Sequence, residues 1–444
     1  MPQWISVVMS VIFALLWTVS MLPHTIFWRN ACYIVGACLG LYVIARNMPL
    51  LRQKAAAPIW IICGLFVWIL FHYFFIGKNP SIQLDELSSI WKRAALGCVF
   101  AIGLGISIGS SARKLPWNIV AIGLFSPTLI YFIKFFCTFI APAWGFLAPE
   151  YLTLFYSGGA STFYLPKVAY VFFCLPSLAL ALGMLLANLK SGGDTKYFIL
   201  YVFIIFSVLG LFYFENIKNG FVYSLILLML FLISLFYGGL SRFSRRQWIL
   251  IGFLISIIGV SFIYHIKSND SWRTLIADTK VAVQIDQNDA WKYGRYELFP
   301  KNEYGQTVSI TNYERISWGA QAIRLIQENP LGYGTVLSSF GHLTKEKWPD
   351  SSLTQSHSGW LDLTLGIGIP GVLLLIFAVV LAIQNASSLP MPCRIFGVWI
   401  LVAILILFAT TEVSQRVYVE TFVWLVALVS ALALPKAAQI KSGY

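Results

Sequence analysis

Twelve apolar runs, each long enough to cross a bilayer, decide what this chain can fold into. They lie at about residues 4–22, 31–45, 57–76, 94–110, 117–140, 167–188, 197–214, 220–240, 248–266, 361–383, 395–411 and 418–434. A hydrocarbon core of about 30 Å takes roughly 20 apolar residues of helix, and inside it every backbone polar group must be bonded internally. The expected class is therefore all-α, a polytopic integral membrane protein with about 12 transmembrane helices. Only 11% of residues are charged, about half the fraction of a soluble domain. The first run lacks a basic n-region and a small-residue cleavage site, so it reads as a retained helix.

The charges give an orientation. With the N-terminus inside, one set of loops holds Arg46, Arg52, Lys54, Arg113, Lys114, Lys190, Lys196, Arg242, Arg245, Arg246, Arg394, Lys436 and Lys441 against a single acid, Asp194. The positive-inside rule makes that face, and both termini, cytoplasmic. It accounts for the net charge of +13 through attraction to anionic lipid headgroups, and no nucleic-acid partner is needed. The seven cysteines form no CxxC pair and none lies in the long polar segment, so all read as small buried hydrophobes.

Three regions follow: membrane helices over 1–266, a long periplasmic loop over 267–356, and membrane helices with a cytoplasmic tail over 357–444. The loop carries ten basic and ten acidic residues and Trp272, Trp291, Trp318 and Trp348, a composition unlike that of disordered chains. One helix is clear in it. Asn312 is the expected N-cap, Ile316, Ala320, Ile323 and Ile326 form an apolar stripe, and Asn329-Pro330 stops it. Arg315 then falls in the first turn, where the helix dipole disfavours a cation, which makes sense beside an anion; Glu314 or lipid is another source of one. Arg324, nine residues on, points elsewhere and reads as structural. A second outer loop, 141–166, is rich in Pro, Gly and aromatics and reads as a surface-lying entrance or a plain connector.

Few other groups carry chemistry. Lys134 lies inside the fifth run and either serves function or snorkels to the surface. Lys218 opens the eighth helix, either paired with Glu215 or facing a phosphate. Glu412, Arg416 and Glu420 read as an ion-paired outer rim without chemistry. The five histidines are scattered, Asp286 and Asp289 lack EF-hand spacing, and HExxH and Walker motifs are absent, so no metal site and no cofactor is expected. His357 stands where the polar loop enters the tenth helix, as a base or as a structural interfacial histidine.

With those residues stated, the chain resembles the O-antigen ligase family, relatives of O-antigen polymerases and bacterial protein O-oligosaccharyltransferases. Tyr313-Glu-Arg-Ile-Ser-Trp-Gly-Ala-Gln-Ala322, followed by Pro330-Leu-Gly-Tyr-Gly334, is similar to the family's loop helix with its functional Arg and Pro-Leu-Gly turn. His357 through Gly371 is similar to its His-led helix entry. Where the family usually has Arg before the eighth helix, this chain has Ile217-Lys218-Asn219-Gly220, which keeps the charge but not the bidentate fork.

The resemblance implies a GT-C-like architecture and inverting, metal-independent glycan transfer. The donor would be O-antigen on undecaprenyl pyrophosphate and the acceptor lipid A–core, at the periplasmic face of the bacterial inner membrane. It implies Arg315 and His357 as catalytic residues, and Lys218, Arg315 and Tyr333 as substrate-binding ones. An O-antigen polymerase and a protein O-oligosaccharyltransferase are alternatives of the same class. A lipid or glycan transporter is the alternative of another class, and Arg295 has no assigned role.

Overall fold

The computed structural model describes residues 3–110, 114–236, 245–267, 270–293, 299–411 and 416–435. Arg113, Arg242, Arg295, Glu412, Lys436 and Lys441 lie outside them. The described chain is helical, with one isolated bridge between Lys301 and Thr307. In chain order the α-helices are α1 Gln3–Met21, α2 Ile26–Arg46, α3 Ala57–Phe75, α4 Pro80–Glu86, α5 Lys92–Gly109, α6 Lys114–Phe135, α7 Lys167–Lys190, α8 Thr195–Phe214 and α9 Lys218–Phe236. Then come α10 Arg245–Lys267, α11 Asp270–Arg273, α12 Leu275–Ala282, α13 Ala290–Tyr293, α14 Ile310–Glu328, α15 Ser339–Lys347, α16 Gly359–Ser387, α17 Cys393–Leu407 and α18 Arg416–Leu432.

Among the described residues, nine helices are long and apolar enough to cross a membrane. The other three expected runs also fall on helices: α10, the 15-residue α17 and the 17-residue α18. The fourth span is longer than its apolar run, because a π-helical segment, Leu87–Trp91, joins α4 to α5. Polar residues in that extension hid it from hydropathy. Side chains facing away from the bundle are apolar (Val67 is 66% exposed and Ile122 68%), as a lipid-facing surface requires.

Helix α5 packs between α2 and α18, α1 on α6, and α3 on α16. Small residues bring the backbones together: a Cβ on Gly103 of α5 would fall on Gly40 of α2, the close approach favoured between membrane helices. Glu420 of α18 is not on a rim. It is wholly buried and paired with Arg93 of α5 at 2.6 Å, with Arg29 of α2 at 3.7 Å, while Arg416 pairs with Asp85. A carboxylate taken out of water needs such partners.

The polar segment has its own apolar cluster, including Ile285, Trp291, Tyr313, Trp318, Leu325, Phe340 and Leu343, closed from below by Leu365 of α16. Its attachment to the helices follows from Pro370. A proline inside a helix lacks an N–H and crowds the carbonyl four residues back. Here α16 breaks at Gly368 (φ 73°, ψ 171°), a left-handed position that suits glycine.

The freed carbonyls are then taken up by other segments. Tyr333 N–H donates to Leu365 O (2.7 Å), Gly334 N–H to Gly366 O (2.8 Å), and Trp68 Nε1 to Ile367 O (2.7 Å). Leaving them unpaired in a membrane would cost several kcal/mol each. The Glu86 carboxylate accepts from Val336 and Leu337 N–H at 2.7 Å each. The Pro330–Gly334 turn is thus a structural plug in a broken membrane helix.

Candidate active site

The site is assembled from three chain turns. The first is the α8–α9 connection. Asn216 is left-handed (φ 50°), and the N–H groups of Asn216 and Ile217 return to Tyr213 O and Phe212 O, a Schellman-type helix end. Gly220 lets α9 start against the Phe212 ring, which a Cβ would meet at 2.7 Å. This sharp reversal presents Lys218 and Asn219 together at the end of α9.

The second is α14. Its N-cap is Ser309, not Asn312, whose amide donates to Asp278 Oδ2 (3.0 Å) instead. Asp278 is fully buried and also accepts from Asn302 and the Ser309 N–H, so it anchors the start of the helix. Arg315 consequently lies in the second turn, beyond the strongest part of the helix dipole, and the dipole argument for a bound anion weakens.

Position supplies a better argument. Arg315 Nη1 donates to Asn219 Oδ1 at 3.2 Å, and the Arg315 and Lys218 charges act on each other. Like charges held together repel, an arrangement stabilised by an anion between them. The charged neighbour of the Glu215 carboxylate is Lys167.

The third turn leads into α16. His357 has φ 58°, an uncommon and strained conformation for a residue other than glycine. Buried Asp362 holds it there: its Oδ1 accepts from Ser356 N–H (2.9 Å) while its own N–H donates to Ser358 O (2.9 Å). The imidazole stacks on Trp318 of α14, with centroids 5.0 Å apart and planes 16° from parallel. The Trp318 indole is fixed in turn by donating to Trp291 O at 3.0 Å.

Glu314 lies near both His357 and Arg315. Burial raises its carboxyl above the ordinary carboxylate range, and the nearby His357 ring and Arg315 guanidinium oppose the rise. On the far side, Tyr223 of α9 is near Arg315 and bonds Thr410 at the end of α17. Lys218, Asn219, Glu314, Arg315, Trp318 and His357 therefore form one cluster at the membrane-helix ends.

Tyr333 makes its contacts elsewhere. Its ring stacks on His342 (5.1 Å, 6°), and Lys78 Nζ lies 5.8 Å from its centroid. Arg324 pairs bidentately with Asp286 at 2.6 and 2.8 Å, away from the cluster, as its helical spacing indicated. Lys134 is buried and donates to Thr153 O at 3.3 Å, so it neither snorkels nor joins Arg315. Asn219, Trp318 and Asp362 emerge only from the structure; their signal in the sequence was adjacency to Lys218, Arg315 and His357.

An apolar groove of about 340 Å³ lies between α8, α9 and α10. Phe221 and Ser224 in its wall begin one turn past Lys218. A cationic and acid–base cluster thus sits at the end of a lipid-depth groove, a combination suited to a substrate with an anionic head and an apolar tail.

No curated protein matches the chain. The family model described as O-antigen ligase matches residues 176–376, from within α7 to within α16, a stretch containing Lys218, Arg315 and His357. Members of that family are glycosyltransferase-type enzymes. The matched segment, which spans somewhat under half of the chain and holds the whole cluster, is similar to the O-antigen ligase family.

Proposed function

We propose that this protein transfers O-antigen polysaccharide from undecaprenyl pyrophosphate to a sugar hydroxyl of lipid A–core, at the periplasmic face of the bacterial inner membrane. The observation that carries this reading is the joining of Arg315 to Asn219 beside Lys218, with His357 held over Trp318 on the same helix as Arg315. Phosphate recognition and a base stand together, and the groove between α8, α9 and α10 offers the polyprenyl tail an apolar path.

In the reaction, the acceptor hydroxyl oxygen attacks the anomeric carbon of the donor's first sugar. The bond from that carbon to the pyrophosphate oxygen breaks with inversion, and undecaprenyl pyrophosphate leaves. His357 takes the hydroxyl proton, the role for which imidazole basicity is suited. Arg315 and Lys218 stabilise the charge that develops on the leaving pyrophosphate. The pyrophosphate is a good leaving group, so no strong acid is required.

The test is a deletion strain complemented with wild type or His357→Ala, read by lipopolysaccharide gels and by lipid-linked glycan content. Loss of the O-antigen ladder with accumulation of polyprenyl-linked O-antigen, restored by wild type alone, is expected. Lipid A–core bearing a single repeat unit would point to a polymerase. A ladder unchanged by deletion would overturn the reading.

A further inference from the structure

Beside the cation cluster, and not used by the reaction above, lies a second polar group of residues. Glu215 ends α8, three residues before Lys218, and is 8% exposed. Lys167 Nζ donates to the Glu215 backbone carbonyl (2.5 Å) and not to its carboxylate. Tyr131 of α6, wholly buried, faces that carboxylate, yet its hydroxyl has no hydrogen bond of good geometry among the described residues. Tyr156 and Tyr164, on the loop between α6 and α7, also lie within reach of the Glu215 charge.

Buried polar atoms without partners require an explanation. A nearly buried carboxylate with one buried, poorly bonded phenol facing it and two more within range of its charge is a set of acceptors and donors suited to hydroxyl groups. The loop above adds aromatic faces, with Tyr151 55%, Tyr156 65% and Trp144 75% exposed. That loop is tied down, since Lys134 and Thr138 of the helix below bond Thr153 O and Leu154 N–H.

We propose that Glu215, Tyr131, Tyr156 and Tyr164 form a sugar-binding subsite that takes the hydroxyls of a glycan ring next to the pyrophosphate position. The inference rests on the reading of Lys218 and Arg315 as the pyrophosphate site. Three residues span at most about 10 Å, so a sugar attached to a phosphate at Lys218 reaches Glu215 within a ring or two. The carboxylate accepts hydroxyl hydrogen bonds of the short, charge-assisted kind, while the phenols complete them. A polyhydroxylated ring is the chemistry recognised, whether it is the donor's first sugars or the acceptor's.

The experiment uses full-length protein in lipid nanodiscs, with lipid-linked glycan and acceptor varied independently. Glu215→Gln and Tyr156→Phe should each raise one KM about fivefold or more with a smaller change in kcat. A shift confined to the donor KM assigns the subsite to the donor sugar, and a shift confined to the acceptor KM to the acceptor. Both constants unchanged in both variants would overturn the proposal while leaving the transferase reading intact.

Tyr156 is mostly exposed, so its variant decides if Glu215→Gln fails to fold. If wild type transfers nothing, the transferase reading fails instead. The subsite is then read by titrating the protein with oligosaccharide released from the strain's own lipid-linked glycan. Saturable binding weakened by Tyr156→Phe supports it, and no binding overturns it.

Discussion

The imidazole of His357 lies against the indole of Trp318, with ring centroids 5.0 Å apart and planes 16° from parallel. One ring comes from the entry to α16 and the other from α14, one turn after Arg315. The contact sets His357 and Arg315 on a common scaffold, and it makes the orientation of His357 depend on a residue of another helix. Trp318→Phe should retain most turnover, and Trp318→Ala should lower kcat about tenfold or more at unchanged protein level, since misplacing a general base forfeits part of its 10²–10⁴-fold contribution. Measuring kcat and KM in reconstituted protein checks this, with KM for either substrate expected to move little.

Lys218 and Arg315 should differ in their tolerance. Lys218 acts as a point charge at a helix start, so Lys218→Arg keeps activity, and Lys218→Ala loses about 10²-fold. Arg315 uses a guanidinium that also bonds Asn219, so Arg315→Lys should lose activity despite keeping the charge. Transfer rates at fixed protein concentration separate these outcomes.

Glu314 gives a pH signature. Burial raises its carboxyl, with His357 and Arg315 opposing. A carboxyl with a folded pKa above its unfolded value binds its proton more readily in the folded state. Stability therefore falls as pH rises from the unfolded value through the folded one. Glu314→Gln removes that loss, so the variant's melting temperature should exceed wild type near about pH 8 and converge with it near about pH 4. Thermal unfolding of the detergent-solubilised pair across that range is the measurement.

The break in α16 should be intolerant of a side chain. Gly368→Ala places a Cβ against the Leu331 carbonyl at φ 73°, with backbone strain alone of about 1–3 kcal/mol. The variant should be recovered in low yield and lose activity with it. Tyr333→Phe, which keeps the ring stacked on His342, should leave both KM values unchanged. Arg324→Ala should do the same, because its partner Asp286 is exposed and outside the cluster.

Helix positions were legible in the sequence because apolar runs of membrane length have few alternatives, and nine of the described helices are long and apolar enough to cross a membrane. What hydropathy could not register was charge inside a span. Arg93, Glu86 and Glu420 are buried through ion pairs and backbone bonds made across the bundle, and no local pattern signals those partners. Residue 357 stood out by its place between loop and helix, and 315 by its family-like context. The displacement of Tyr333 to the Pro330–Gly334 plug was hidden because Pro370, which creates the plug's partners, lies forty residues further on. The N-cap shifted from Asn312 to Ser309 for a similar reason, since Asp278 engages the Asn312 side chain.

The central claim is that His357 accepts the proton of a hydroxyl attacking a polyprenyl-pyrophosphate-linked glycan. The most direct measurement is single-turnover transfer in proteoliposomes from undecaprenyl-pyrophosphate-linked O-antigen to lipid A–core, with both products followed by mass spectrometry. Wild type should form one undecaprenyl pyrophosphate per glycan transferred, and His357→Ala, at equal folded protein, should be slower by about 10²-fold or more. Transfer by His357→Ala at the wild-type rate would contradict the account.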